Sequence, residues 1–365
     1  MDRPLIIAYY LPQYHPIPEN DEWWGKGFTE WTNVAKAKPL FKGHYQPKIP
    51  ADLGFYDLRV PEVREQQAEL AREAGVDGFC YWHYWFGNGK QLLERPFKEV
   101  VESGKPNFPF CLGWANESWE AKEWSRGSVR SKKILIEQSY PEKDDTEKHF
   151  YSLIKAFKDK RYLRINGEPI FHIYQPLNHP NIAEFINTWN FLIQKEKIAP
   201  KFYFIAGATN ANYTKMTELG FDSVIINLGE RINEFYSSKN LIDRIFLRFL
   251  RIIFQWPIRT SYEKCLRYLW KENIDTREYI IPSLLPNWDH SPRCKTKYSI
   301  LTGCSPQLFK KHCIQVLSGI KNKQNKIVFL KSWNEWGEGN YMEPDLKFGK
   351  GFIKALASAK KEVYP

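Results

Sequence analysis

Eight short runs of almost unbroken apolar residues constrain this chain more than any other feature. They are Leu5–Tyr10, Gly78–Trp82, Phe108–Trp114, Pro169–Tyr174, Phe202–Ala206, Ser223–Asn227, Tyr279–Leu285 and Ile327–Trp333. A strand with one wet face alternates polar and apolar residues, whereas a strand buried on both faces does not. Helical patterns such as Val60–Glu73 and Asp144–Phe157 lie between runs, and Gly75 stands where a helix C-cap is expected. Eight doubly buried strands alternating with helices predict an α/β fold, a parallel (β/α)₈ TIM barrel over residues 1–365 as one domain. The first connection breaks the rhythm. Roughly fifty residues, including Trp23, Trp24, Phe28, Glu30, Trp31 and Asn33, follow Tyr10 before the first long helix. A Trp-rich loop at the end of a barrel strand is expected to fold over the active face.

In a barrel, reacting groups come from the C-terminal ends of strands. Here those ends read Tyr9-Tyr10-Leu11-Pro12-Gln13-Tyr14-His15, Tyr81-Trp82-His83-Tyr84-Trp85, Trp114-Ala115-Asn116-Glu117-Ser118-Trp119, His172-Ile173-Tyr174-Gln175, Pro286-Asn287-Trp288-Asp289 and Trp333-Asn334-Glu335-Trp336-Gly337-Glu338. Aromatic faces stack on sugar C–H surfaces, and amides, imidazoles and carboxylates bind hydroxyls. The expected substrate is therefore carbohydrate. Candidate subsite residues are Tyr10, Glu30, Trp31, His83, Tyr84, Trp114, Asn116, Glu117, Tyr174, Asp289, Asn334 and Trp336. Glu335 and Glu338 are the candidate catalytic pair, because glycosidic bond cleavage commonly needs one protonated and one ionised carboxyl group. A variant pairs Glu117 with Glu335 instead.

The motifs Ala8-Tyr9-Tyr10-Leu11-Pro12-Gln13-Tyr14-His15, Gly27-Phe28-Thr29-Glu30-Trp31-Thr32-Asn33-Val34, Gly78-Phe79-Cys80-Tyr81-Trp82-His83-Tyr84, Trp114-Ala115-Asn116-Glu117 and Trp333-Asn334-Glu335-Trp336-Gly337-Glu338-Gly339 together resemble the WbsX-type family. These are bacterial surface-polysaccharide (lipopolysaccharide, O-antigen, capsule) biosynthesis proteins, also described as glycoside hydrolase family 99-like. Asn334–Glu338 is also similar to the Asn-Glu-Trp-x-Glu motif of the family 99 endo-α-mannosidases. That resemblance implies a (β/α)₈ barrel and a retaining reaction through a 1,2-anhydro sugar. Glu335 would be the base on the sugar 2-hydroxyl, and Glu338 the acid on the leaving group. Substrate identity does not follow, since the Gly27–Val34 motif belongs to the WbsX-type group.

Three functions compete: a glycoside hydrolase or transglycosylase, a glycosyltransferase with a nucleotide- or lipid-linked donor, and a non-catalytic glycan-binding barrel. The chain has neither a D-x-D motif nor a Rossmann-type phosphate loop, which weakens the nucleotide-sugar reading. No cofactor or metal is expected. Cys80, Cys111, Cys265, Cys294, Cys304 and Cys313 form no CxxC pair and have no His at ligand spacing. The net charge of +11 comes from dispersed residues rather than a nucleic-acid module, so the expected partner is an oligosaccharide or lipid-linked glycan and not nucleic acid. Met1–Pro4 leads into a strand without the apolar core of a signal peptide, and a cytoplasmic location is expected. Residues 240–256 place Arg244, Arg248 and Arg251 on one helical face amid apolar residues. Such a helix could lie on an anionic inner-membrane surface, or be an outer barrel helix.

Overall fold

The computed structural model describes residues 3–120, 133–141, 143–237, 257–294 and 299–365, with Ile245, Phe249 and Ile253. Eight parallel strands form the framework: β1 (Leu5–Tyr10), β2 (Gly78–Trp85), β3 (Phe110–Trp114), β4 (Glu168–Ile173), β5 (Tyr203–Ala208), β6 (Ser223–Ile226), β7 (Ser283–Leu284) and β8 (Ile327–Leu330). Their order is β6-β5-β4-β3-β2-β1-β8-β7. The ring closes through a parallel bridge between Val224 of β6 and Ile280, just before β7. Val224 N donates to Tyr279 O (2.7 Å) and Ile281 N to Val224 O (2.8 Å). The fold is the expected (β/α)₈ barrel.

Side chains alternate across each strand, and this decides what can reach the site. Tyr9, Trp82, His172 and Phe329 come from β1, β2, β4 and β8 yet touch one another, so they meet across the barrel interior. Tyr9 stacks on Trp82 with ring centres 4.7 Å apart, and both pack against His172. Tyr9 also packs on Phe329, and its hydroxyl lies 3.2 Å from Nε2 of His172. The neighbouring residues point outward. Tyr81 packs on Phe97 of an outer helix, and the Tyr10 hydroxyl donates to Gln67 (2.6 Å).

The helices follow their local signals. Residues Pro61–Ala74 begin with Pro at the first turn and end at Gly75, whose φ of 79° lets its N–H cap Ala71 O and Arg72 O. The stretch from Asp144 to Phe157, expected as one helix, is two: Lys143–Ser152 and Ile154–Phe157, broken at Leu153. Two short helices, α1 (Pro18–Trp24) and α2 (Glu30–Lys36), structure the long first connection. That connection is tied to the segment after β8, since Ala51 N donates to Pro344 O (2.9 Å) and Leu346 N to Ile49 O (3.0 Å). Most of residues 240–256 lie outside the described residues. Ile245, Phe249 and Ile253, at four-residue steps, are exposed. Among the described residues, no helix is long and apolar enough to cross a membrane.

Candidate active site

The segment after β8 folds back as a small hairpin. Asn334–Glu335 pairs antiparallel with Asn340–Tyr341, and Trp336–Glu338 forms a 3₁₀ turn between them. A 3₁₀ turn has three residues per turn, so Glu335 and Glu338 emerge on one side. Gly339 ends the turn at φ 57°. A Cβ there would press on Nζ of Lys48 and lie 2.8 Å from Cβ of Asp289. Lys48, buried, donates to Gly339 O (3.1 Å) and Asn287 Oδ1 (3.2 Å).

Several sequence-predicted residues hold this hairpin rather than line the cleft. Asn334 accepts from Leu11 N (2.7 Å) and donates to Leu11 O (3.0 Å), pinning the turn to the end of β1. Trp336 stacks on Tyr341 with ring centres 3.7 Å apart, and its Nε1 donates to Glu343 (2.6 Å). Trp31 is buried against Tyr14, Tyr56 and Trp336, with Nε1 donating to Tyr56 O (2.7 Å). Asp289 is buried and accepts from Gln46 (2.6 Å) and Ser291 N (3.0 Å), with His44 Nε2 at 2.8 Å. Burial would raise its carboxyl, but the His44 bond and the Lys48 charge outweigh it and hold it well below the usual range.

A cleft of about 570 Å³ opens over the barrel mouth. Among its lining residues are Glu30, Tyr84, Glu117, Tyr174, Glu335 and Glu338 from the predicted set. Trp24, Phe28, Trp82 and Trp119 supply flat aromatic wall, and Arg293 and Lys331 supply positive charge. Besides Trp31, Asp289, Asn334 and Trp336, four more predicted residues do not reach it. Tyr10 and His83 point outward by strand alternation. His83 Nε2 sits 2.9 Å from His149 Nε2, and burial lowers the His83 imidazole to about 3. Trp114 packs on Phe185 and His149, and Nε1 donates to Trp85 O (3.0 Å). Asn116 exchanges hydrogen bonds with Gln175 (both 2.8 Å), joining the ends of β3 and β4.

The electrostatic centre is Arg293. Its Nη2 lies 2.7 Å from Glu335 Oε1, Nη1 lies 3.0 Å from Glu338 Oε1, and Nε lies 3.0 Å from Glu30 Oε2. The Arg293–Glu335 contact is close but not aligned as a hydrogen bond, and Glu335 Oε1 has no hydrogen-bond donor among the described residues. Burial pushes Glu335 up to about 8; the Arg293 charge opposes this, and Glu338 and Glu30 reinforce it. Sequence reasoning missed Arg293, which lies in no motif and pairs with residues far along the chain. It also missed Glu343, a buried carboxyl accepting from Tyr56 (2.9 Å), Gln67 (2.6 Å) and Trp336 (2.6 Å). Burial raises Glu343 to about 7 against these bonds.

A parallel barrel with clustered carboxylates in an aromatic-walled cleft at its mouth has the architecture of glycan-processing barrels. The chain belongs to the WbsX glycosyltransferase family, whose model matches residues 6–356. It is 34% identical over 365 residues to WxcX, an uncharacterised protein of Xanthomonas campestris pv. campestris strain B100, covering 97% of this chain and 49% of that protein. The chain thus spans about half the length of the curated relatives it matches. Its fold is similar to that of a glycoside hydrolase-like protein (TM-score 0.62, 14% identity, covering 98% of this chain and 94% of that one). It is also similar to that of the GH99 endo-α-mannosidase of Bacteroides thetaiotaomicron (TM-score 0.53, 14% identity, 98% of each chain covered).

Proposed function

We propose that this chain is a glycan-active enzyme of bacterial surface-polysaccharide metabolism, in which residues 1–365 form one catalytic domain that cleaves or transfers glycosidic bonds. The observation that carries this reading is the pairing of Glu335 and Glu338 around one guanidinium at the cleft. In the proposed cycle Glu335 takes the proton of the 2-hydroxyl. That oxygen attacks C1, and the departing oxygen takes a proton from Glu338. Water, or an acceptor hydroxyl, then gives its proton to Glu338 and opens the 1,2-anhydro ring at C1, while O2 recovers the proton from Glu335. Two inversions at C1 give net retention. Glu30, Tyr84, Glu117 and Tyr174 serve as sugar-binding groups. The test is product analysis after incubation with surface polysaccharide and lipid-linked precursors, beside a Glu335→Gln/Glu338→Gln double variant. Shorter glycans from wild type alone mean hydrolysis, and lengthened or rearranged ones mean transfer. No difference from the double variant would leave a glycan-binding barrel.

A second reading concerns location. The exposed Ile245, Phe249 and Ile253, beside the arginines that share the segment, support contact with an anionic membrane surface. Six cysteines with no disulfide among the described residues fit a reducing cytoplasm. Replacing Ile245, Phe249 and Ile253 by Ser is expected to release the protein from phosphatidylglycerol vesicles. Undiminished binding would end the idea.

A further inference from the structure

Arg293 belongs to the segment that follows β7, and it gathers carboxylates from two other parts of the chain. Glu30 comes from the first turn of α2, and Glu335 and Glu338 come from the β8 hairpin. The three contacts of 2.7–3.0 Å use all three guanidinium nitrogens. A planar guanidinium presents five N–H donors in a fixed fork, whereas an ammonium is a single point of charge. The surroundings are cut to fit. A Cβ on Gly337 would collide with Oε2 of Glu30 and come within 2.8 Å of Nε of Arg293. The segment carrying Arg293 is also tied to the hairpin, since Asp289 N donates to Glu338 O (2.8 Å). Other ionisable groups facing the cluster are His290, whose Nε2 lies 3.9 Å from Glu338 Oε1, and Lys331, Tyr14 and Tyr84, all electrostatically coupled to Glu335.

We propose that Arg293 is a positioning residue for the carboxylate pair: one guanidinium aims Glu30, Glu335 and Glu338 at a single point and supplies the positive charge that all three face. The inference rests on the reading of Glu335 and Glu338 as the reacting pair, and its test is independent of turnover. Three carboxylates crowded into a part-buried cleft repel one another, and burial adds to the cost of ionising Glu335. Glu335 has to ionise to act as a base, and Arg293 is the nearest positive charge that favours that state. A neighbouring opposite charge typically moves a carboxyl by about one to three pH units.

The experiment is an infrared titration of the Glu335 carboxyl, identified by the band lost in Glu335→Gln. Wild type is expected to titrate near pH 8. Arg293→Ala is expected to titrate at least about one unit higher, and guanidinium chloride to bring it back where sodium chloride at the same ionic strength does not. Glu30→Gln removes a negative charge and is expected to move the midpoint down. The opposite signs of these two variants keep the test decisive if Arg293→Ala folds poorly. An unmoved midpoint in a folded Arg293→Ala, or an upward shift in Glu30→Gln, overturns the proposal. Full turnover by Glu335→Gln would instead overturn the catalytic reading and leave the titration result standing.

Discussion

Replacing Glu335 by Gln should stabilise the protein in alkali and do little in acid. The carboxyl is buried and raised from an ordinary value near 4.5 to about 8. The folded state therefore holds the proton more tightly than the unfolded chain. That contribution is fully present below pH 4.5 and is lost as pH rises through 8. Gln has the shape of the protonated acid and never ionises, so it keeps what Glu335 loses. Between pH 5 and pH 9 the variant should gain on wild type by on the order of 4 kcal/mol. In a chain of this length each kcal/mol moves Tm by a little over 1 °C, so the gap should widen by about 5 °C. Paired thermal melts of the two proteins at both pH values measure it, and titrations of groups that do not interact with Glu335 cancel in the double difference. A Tm gap that stays constant across the range would refute the burial argument.

Three further outcomes follow from the same geometry. If Glu335 is the base, Glu338→Gln assayed on a substrate whose leaving group needs no proton should show kcat/KM rising about tenfold per pH unit up to about pH 8 and then levelling; a flat profile between pH 6 and 8 in that variant would remove Glu335 from the role. Glu343→Leu leaves donors on Tyr56, Gln67 and Trp336 without their acceptor, and should cost about 3 kcal/mol or more, read as a Tm loss of about 4 °C; an unchanged Tm would contradict the network. Gly337→Ala drives a methyl into the Glu30–Arg293 pair, and should leave a folded protein with turnover reduced roughly 100-fold; full turnover would show that the pair tolerates displacement.

The barrel was legible because doubly buried strands cannot alternate, so eight apolar runs stood out. The seventh run shortened most. Pro282 has no N–H to give, and regular pairing survives only at Ser283–Leu284, with a single bridge at Ile280. The two helices of the first connection were hidden by their length of seven residues each, too short to show a period. At the site, Glu335 and Glu338 stood out as a carboxylate pair, and the 3₁₀ turn puts them on one side of the hairpin. Choosing residues by type at strand ends treated both faces of a strand alike. Tyr10 and His83 therefore stood in the predicted set beside Tyr84, although only the last faces the cleft. Asn334 and Trp336 sit in the motif because they anchor the hairpin, a role that residue type alone does not separate from binding. Arg293 was invisible for another reason: its partners lie 263, 45 and 42 residues away along the chain, and no local spacing encodes an ion cluster of that kind.

The central claim is that Glu335 and Glu338 carry the chemistry. The most direct measurement compares Glu335→Gln, Glu338→Gln and Glu117→Gln for glycan cleavage or transfer, each first shown to be folded. Losses of roughly 10²- to 10⁴-fold in the first two, with a much smaller loss in Glu117→Gln that falls mainly on KM, are the predicted result. Full activity in Glu338→Gln together with loss in Glu117→Gln would contradict it and move the acid across the cleft.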